Sequence, residues 1–379
     1  MPKDPTCNCE PAKSITSQTP REAGYRMPAE WARHDATWLS WPKNPLTFPD
    51  DHLEKVEAVY AEMVSALSGG ERVRILVDDE ALESRARHCI DTVGADWNNV
   101  IFVRIKSADV WVRDYGPTFL LSNDGSRKAL VKWRFNAWGG KYDDLMYDDR
   151  AGEDLARAAG LRMFRPGIVL EGGSIDVNGK GTVLTTEQCL LNKNRNPDLS
   201  RAGIEAYLED YIAAPQVIWL KSGIDGDDTD GHVDDFARFA SEKVVLCAHS
   251  DRDVGTNRQV LDANLRILEE ATDGEGNRFE VIRLPMPEPI ELPEEERFLP
   301  ASYANFYIGN KVVLMPAFDD DNDEEALQLL RTCFPGREIV PIQATDLVYG
   351  YGGFHCVTQQ EPAAERKDDR EEQERGRRV

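Results

Sequence analysis

Residues 171–186 read EGGSIDVNGKGTVLTT. A charged residue leads, a short apolar alternation follows, a turn rich in Asn and Gly comes next, and a second apolar run closes the stretch. Alternation of period two on either side of turn residues predicts a β-hairpin. The same order recurs along the chain. Asp114 stands just before PTFLLSNDGSRKALV, His232 before VDDFARFASEKVVLCA, and Asn305 before FYIGNKVVLMPA.

Helical patterns lie between the hairpins. Leu53, Val56, Tyr60, Met63, Val64 and Leu67 are spaced three and four apart, and Gly69-Gly70 marks the stop. Val260, Leu261, Asn264, Leu265 and Leu268 predict a second helix. Ala326, Leu327, Leu329 and Leu330 predict a third, introduced by the acidic run from Asp319 to Glu325, which suits a helix N-terminus. Weaker patterns occupy residues 155–159 and 204–212. The predicted class is α/β, built from ββαβ units, with a fifth unit opening near residues 31–42. Such units repeated around a ring make a small propeller whose hairpins all start at one central pocket. Asp114, Glu171, His232 and Asn305 then hold equivalent places and converge.

The bulk composition limits the function. A hydrophobic share of 41% over 379 residues fills a core, and no apolar run approaches the roughly 20 residues that span a bilayer. The N-terminal stretch has no apolar signal segment, so no membrane is expected and the cytoplasm is the expected location. Residues 1–20 read as a disordered tail, 21–362 as a single domain, and 363–379 as a charged tail. Seven cysteines without a C-x-x-C pair fit neither a disulfide framework nor a zinc ribbon. A formal charge of −23 argues against nucleic acid. It suits a cationic substrate steered by a negative field, and plain solubility or salt adaptation accounts for it equally well.

Some stretches carry chemistry. In residues 111–117, WVRDYGP, Asp114 beside the aromatic Trp111 can face a ligand, or it can pair with Arg113 or cap the turn. In residues 225–235, DGDDTDGHVDD, His232 and Asp234 are two apart and share a face if the segment is a strand. A carboxylate beside a histidine raises its pKa and suits it to general acid work. The clustered aspartates also resemble a metal loop, but neither the EF-hand order nor H-E-x-x-H is present. In residues 350–356, GYGGFHC, glycines allow a ligand close to the backbone, and Cys356 is a candidate nucleophile. His355 would point to the opposite face and reads as structural. Cys, His and paired carboxylates together suit attack on a cationic, planar guanidinium carbon. A metal-dependent hydrolase and a non-catalytic guanidine or polyamine binder are the competing classes.

These residues resemble the agmatine deiminases of the guanidine-modifying, pentein-fold superfamily, which includes the peptidyl-arginine deiminases. The resemblance runs from about Gly24 to Pro362. It is carried by GYRMPAEWARHDATWLSWP, VWVRDYGPT, KWRFNAWGGKY, EGGSI, TTEQCLLNKNRNP, GDDTDGHVDDFARF and FHCVTQQEP. It implies the five-bladed α/β propeller and a cytoplasmic deimination that needs no metal or organic cofactor. It implies Cys356 as the nucleophile that forms an amidino-thioether and His232 as acid/base. It implies Asp114 and Asp234 as the carboxylates that grip the guanidinium. Asp228 is placed to meet the substrate's distal amine, and Glu171 and Trp111 to line the pocket. The expected partner is a small guanidino compound, agmatine ahead of free or C-terminal peptidyl arginine; similar proteins are often homodimers. Two departures from the family pattern, Tyr115 where Thr is common and GYGGFHC where GGGNIHC is common, are expected near the pocket.

Overall fold

The computed structural model describes residues 18–251, 255–292 and 297–365. The expected tails therefore lie outside the described residues, apart from 18–20 and 363–365, as do Cys7 and Cys9.

All four predicted hairpins form. Thr118–Ser122 pairs antiparallel with Lys128–Val131, Asp176–Val177 with Thr182–Thr186, Ala237–Phe239 with Val244–His249, and Tyr307–Ile308 with Val312–Ala317. After each hairpin the chain forms a helix and returns as a third strand, parallel to the second. The helices are Asp148–Ala158, Arg201–Ile212, Asn257–Glu270 and Asp323–Cys333. The returning strands are Arg162–Phe164, Gln216–Leu220, Glu280–Pro285 and Glu338–Gln343.

The fifth unit joins the two ends of the described chain. His34–Ser40 runs parallel to Arg72–Val77 across the helix His52–Ser68, and its antiparallel partner is Gln359–Pro362, only three residues beyond Cys356. A further helix, Glu80–Asp91, and strand, Val100–Arg104, extend this sheet. The architecture is mixed α/β, with one ββαβ order used five times.

The local chemistry follows known rules. Apolar residues of His52–Ser68 turn Val56, Tyr60, Met63, Val64 and Leu67 to the core, and the helix ends at Gly69. Ser200 caps its helix by accepting from the Gly203 N–H, and Asp79 accepts from the Leu82 N–H. Asp323, Glu324 and Glu325 fill the first turn of their helix, where the exposed N–H groups favour negative charge. Thr118–Ser122 and Thr182–Thr186 are buried along their whole length, while Val100–Arg104 and Glu280–Pro285 are partly exposed. Hairpins thus lie inside and most returning strands outside, so the start of each hairpin is deep in the protein. No helix among the described residues is long and apolar enough to cross a membrane.

Candidate active site

Each unit delivers one polar residue just ahead of its inner strand: Asp114, Glu171, Asp234, Asn305 and Cys356. Asp114 rides on the one-turn helix Val112–Tyr115. Glu171 precedes the 3-10 turn Gly172–Ser174, and Asp234 lies in the 3-10 turn Val233–Asp235. The expectation that His232 and Asp234 share a strand face is therefore corrected. The segment is a turn and not a strand, and the two are close over Gly173 without a hydrogen bond to each other among the described residues.

Cys356 Sγ accepts from Asn305 Nδ2 at 3.1 Å and lies 3.7 Å from Asp234 Oδ2. That same Oδ2 is held by His355 Nδ1 at 2.6 Å, while Asp234 Oδ1 is buried with no partner among the described residues. Asp114 accepts from the Trp138 indole N–H and from the Gly173 N–H, both at 2.9 Å. Arg113 does not pair with Asp114. It turns to Gln360, the His355 carbonyl and Glu30. His232 Nδ1 is 3.8 Å from Asp114 Oδ1, and neither of its ring nitrogens has a hydrogen bond among the described residues.

Gly173 shows how tightly this centre is built. A Cβ there would stand 2.6 Å from His232 Nδ1, 2.9 Å from Asp234 Oδ2 and 3.0 Å from Asp114 Oδ1. Only glycine leaves room for three functional groups to meet over its Cα.

The acidic loop folds on itself. Asp227 accepts from the N–H groups of Thr229, Gly231 and His232, so it positions the histidine. Asp230 pairs with Lys141 and Arg195. Asp228 alone of the loop's aspartates lines the adjoining cavity, which encloses about 350 Å³. The Tyr142 hydroxyl donates to its Oδ2, and Arg297 forms an ion pair with the same oxygen at 3.3 Å. Trp111, Asp114, Trp138, Tyr351 and Cys356 line the same space, and Leu46, Thr47 and Pro49 form part of its wall.

Glu171 is a correction. It is fully buried but absent from the cavity wall, and its Oε1 accepts from Arg195 Nε at 2.5 Å. Its Oε2 has no hydrogen bond among the described residues, and it shares the neighbourhood of His232. Its E-G-G context pointed to the site, but its carboxylate ends on Arg195, within 4.8 Å of the His232 ring and off the cavity wall. Tyr115 likewise does not line the cavity. It is buried with its hydroxyl on the Asp109 carbonyl at 3.3 Å, whereas Tyr351 does face the cavity, with φ at 73°.

Burial dominates the electrostatics. It pushes the Cys356 thiol well above its ordinary range, and the charges of Asp234, Asp235 and Asp114 add to the effect. Burial also raises Asp114; His232 opposes the shift, while Asp234 and Glu171 reinforce it. Burial acts on Asp234 in the same sense, yet the hydrogen bond and charge of His355 outweigh it and leave this carboxyl low. Among the described residues, two buried groups have metal-ligand atoms within 4.8 Å of one another: Glu171, Cys189 and His232, and Asp234, Asp235 and Cys356. Burial raises the thiols of both Cys189 and Cys356, so a metal at either place would first have to displace a tightly held proton.

The model of the Porphyromonas-type peptidyl-arginine deiminase family matches residues 26–362. The chain belongs to this family. The agmatine deiminase of Ectopseudomonas mendocina is 39% identical over 368 residues, covering 91% of this chain and 97% of that protein. The agmatine deiminase of Pseudomonas aeruginosa is 38% identical over 372 residues, covering 92% and 99%. Among solved structures, the agmatine deiminase of Enterococcus faecalis superposes with a TM-score of 0.85 at 33% identity, covering 93% of this chain and 100% of that one.

In this deiminase-family chain, sequence reading named Cys356, His232, Asp114 and Asp234, and the fold brings all four together. It named Asp228 and Trp111, and both line the cavity. It placed Asn305 at a hairpin start without seeing its bond to the sulfur. Glu30, Trp138 and Tyr142 were missed as individuals, although each stands in a quoted family segment.

Proposed function

We propose that this family member hydrolyses agmatine to N-carbamoylputrescine and ammonia through a covalent amidino-cysteine on Cys356. The observation that carries the reading is the Asp234 carboxylate beside the sulfur, with one buried oxygen still unpartnered. Such an acceptor suits a guanidinium N–H, and an unmet buried carboxylate oxygen is costly until something donates to it. Agmatine deiminase relatives covering nearly the whole chain support the substrate.

The bound guanidinium lies between Asp114 and Asp234, which fix its plane by charge-assisted hydrogen bonds. Before substrate binds, burial and the neighbouring carboxylates favour the protonated form of Cys356. The bound cation offsets those carboxylates, and the thiol proton passes to His232. The thiolate attacks the central carbon and forms a C–S bond. His232 returns the proton to the departing nitrogen, the C–N bond breaks, and ammonia leaves. His232 then takes a proton from water as the oxygen attacks the same carbon. The C–S bond breaks, His232 returns its proton to the sulfur, the added oxygen gives up its remaining proton to the solvent, and a ureido group remains. Glu171, with a carboxylate oxygen within 4.8 Å of His232, places a carboxylate beside the imidazole. Asp228 meets the distal ammonium at the far part of the cavity.

A second reading, free or C-terminal peptidyl arginine, is favoured by Arg297. Its guanidinium sits 3.8 Å over the ring of the cavity residue Tyr351 and pairs with Asp228, near enough to meet a carboxylate. Ammonia release from agmatine and from L-arginine, by wild type and Cys356→Ser, separates the readings. Agmatine turnover abolished in the variant is the expected result, and turnover of arginine alone would reassign the substrate. The five ββαβ units also support a five-bladed propeller over residues 21–362, with Asp114, Glu171, Asp234, Asn305 and Cys356 around its axis.

A further inference from the structure

His355 follows directly from the logic of its hydrogen bonds. Its ring is buried and does not line the cavity. Nδ1 lies 2.6 Å from Asp234 Oδ2, and Nε2 lies 2.7 Å from Glu30 Oε2. An ionised carboxylate only accepts, so each ring nitrogen facing one must donate. A neutral imidazole has a single N–H; only the imidazolium has two.

The surroundings balance in the same sense. Glu30 pairs with Arg238 at 3.1 Å and with Arg113 at 3.5 Å, and Arg238 also bonds Asp176. Three buried carboxylates, Glu30, Asp176 and Asp234, thus face Arg113, Arg238 and His355. Their charges cancel only when His355 carries one. Burial would push Glu30 up, but Arg238, His355 and Arg113 hold it well below the ordinary carboxylate range. A carboxylate this low keeps its bond to the ring in the ionised form.

We propose that His355 is a fixed imidazolium and the positioning residue for Asp234, occupying Oδ2 so that Oδ1 alone is left for the substrate guanidinium. The part concerning the guanidinium rests on the functional reading above. His355 is the chain neighbour of Cys356, so its bond to Asp234 also ties that carboxylate to the nucleophile it must work beside. Asn305 Oδ1 secures the joint by accepting from the N–H groups of both His355 and Cys356, at 2.9 and 3.3 Å. The imidazolium also offsets one of the negative charges next to the thiol.

The direct test is nitrogen-15 spectroscopy of histidine-labelled wild type without substrate, with His355→Gln used to assign the ring. Both His355 nitrogens are expected to carry hydrogen at pH 8. A neutral tautomer at that pH would overturn the proposal, whatever the substrate. The kinetic test is the same variant with agmatine. kcat/KM is expected to fall about thirtyfold or more, as for other truncated buried charge pairs. The acid limb of its pH profile moves to higher pH, because Asp234 loses its cation. A purely structural residue would lower activity without moving that limb, and an unmoved limb sinks the positioning role. If His355→Gln does not fold, the limb is read in Glu30→Gln, with a shift in the same direction expected. Absence of agmatine turnover in wild type would defeat the functional reading, and the spectroscopy would still decide the charge on His355.

Discussion

Asn305 Nδ2 donates to Cys356 Sγ at 3.1 Å and to Asp235 Oδ1 at 2.8 Å, so one amide bridges the sulfur and a buried carboxyl. Burial and the charges of Asp234 and Asp227 push Asp235 well above the usual carboxylate range. Hydrogen bonds to charged groups contribute about 1.5–3 kcal/mol, so Asn305→Ala is expected to lower kcat about ten- to a hundredfold. Steady-state rates with agmatine check this. Asn305→Asp, which puts a carboxylate against the thiolate, should be worse than Asn305→Ala, and the reverse order would remove the electrostatic explanation.

Gly173→Ala places a methyl group among His232, Asp234 and Asp114. Misplacing reacting groups by about an ångström lowers rates about a hundredfold, which is the expected loss in kcat/KM. Overpacking of this kind destabilises by about 1–3 kcal/mol, so thermal unfolding should still show a cooperative transition. Near-normal activity in the folded variant would mean that the three groups tolerate separation.

Asp228→Asn tests the far part of the cavity. If Asp228 meets the distal ammonium, KM for agmatine should rise about tenfold, with kcat within about threefold, because uniform binding is lost and not transition-state binding. An unchanged KM would assign Asp228 to holding Tyr142 and Arg297 only.

Asp148 and Asp109 connect pH to the wall of the cavity. Asp109 accepts from Thr47 Oγ1 at 2.5 Å, and Thr47 lines the cavity. Asp148 accepts from the backbone N–H of Asp109 at 3.0 Å. Burial pushes Asp148 up to about 7 and Asp109 up to about 6. An unfolded aspartate titrates near pH ~3.9, so the folded chain binds more protons between about pH 4 and 7. Stability contributed by these groups is present at the acid end of that window and is lost as pH rises through it. Asp148→Asn does not titrate. Its melting temperature relative to wild type should rise between pH 5 and pH 8, and parallel curves would show that Asp148 does not set the slope.

The chain's local order was legible because hairpins and helices depend on neighbours in sequence. Alternation around turns with Gly, Asn or Ser placed the strands, and spacing of three and four placed His52–Ser68 and Asn257–Glu270. Motifs named Cys356, His232, Asp114 and Asp234, since their chemistry requires those side chains. The helix Glu80–Asp91 was not read out, because its stripe is narrow: only Leu82, Ala86 and Ile90 are buried.

Only the tertiary structure decided direction and pairing. Period-two logic paired His232 with Asp234, but a 3-10 turn gives no such alternation, and Asp234 instead bonds His355, 121 positions away. Glu171 was named as pocket lining and instead ends on Arg195, because whether a carboxylate ends in a cavity or on a guanidinium is set by packing, not by its neighbours in sequence. Glu30 reaches His355 across 325 positions, and Gln359–Pro362 completes the sheet begun at His34. Sequence determines which groups are available and which local turns present them; long-range burial decides which groups meet and which one keeps an oxygen free for substrate.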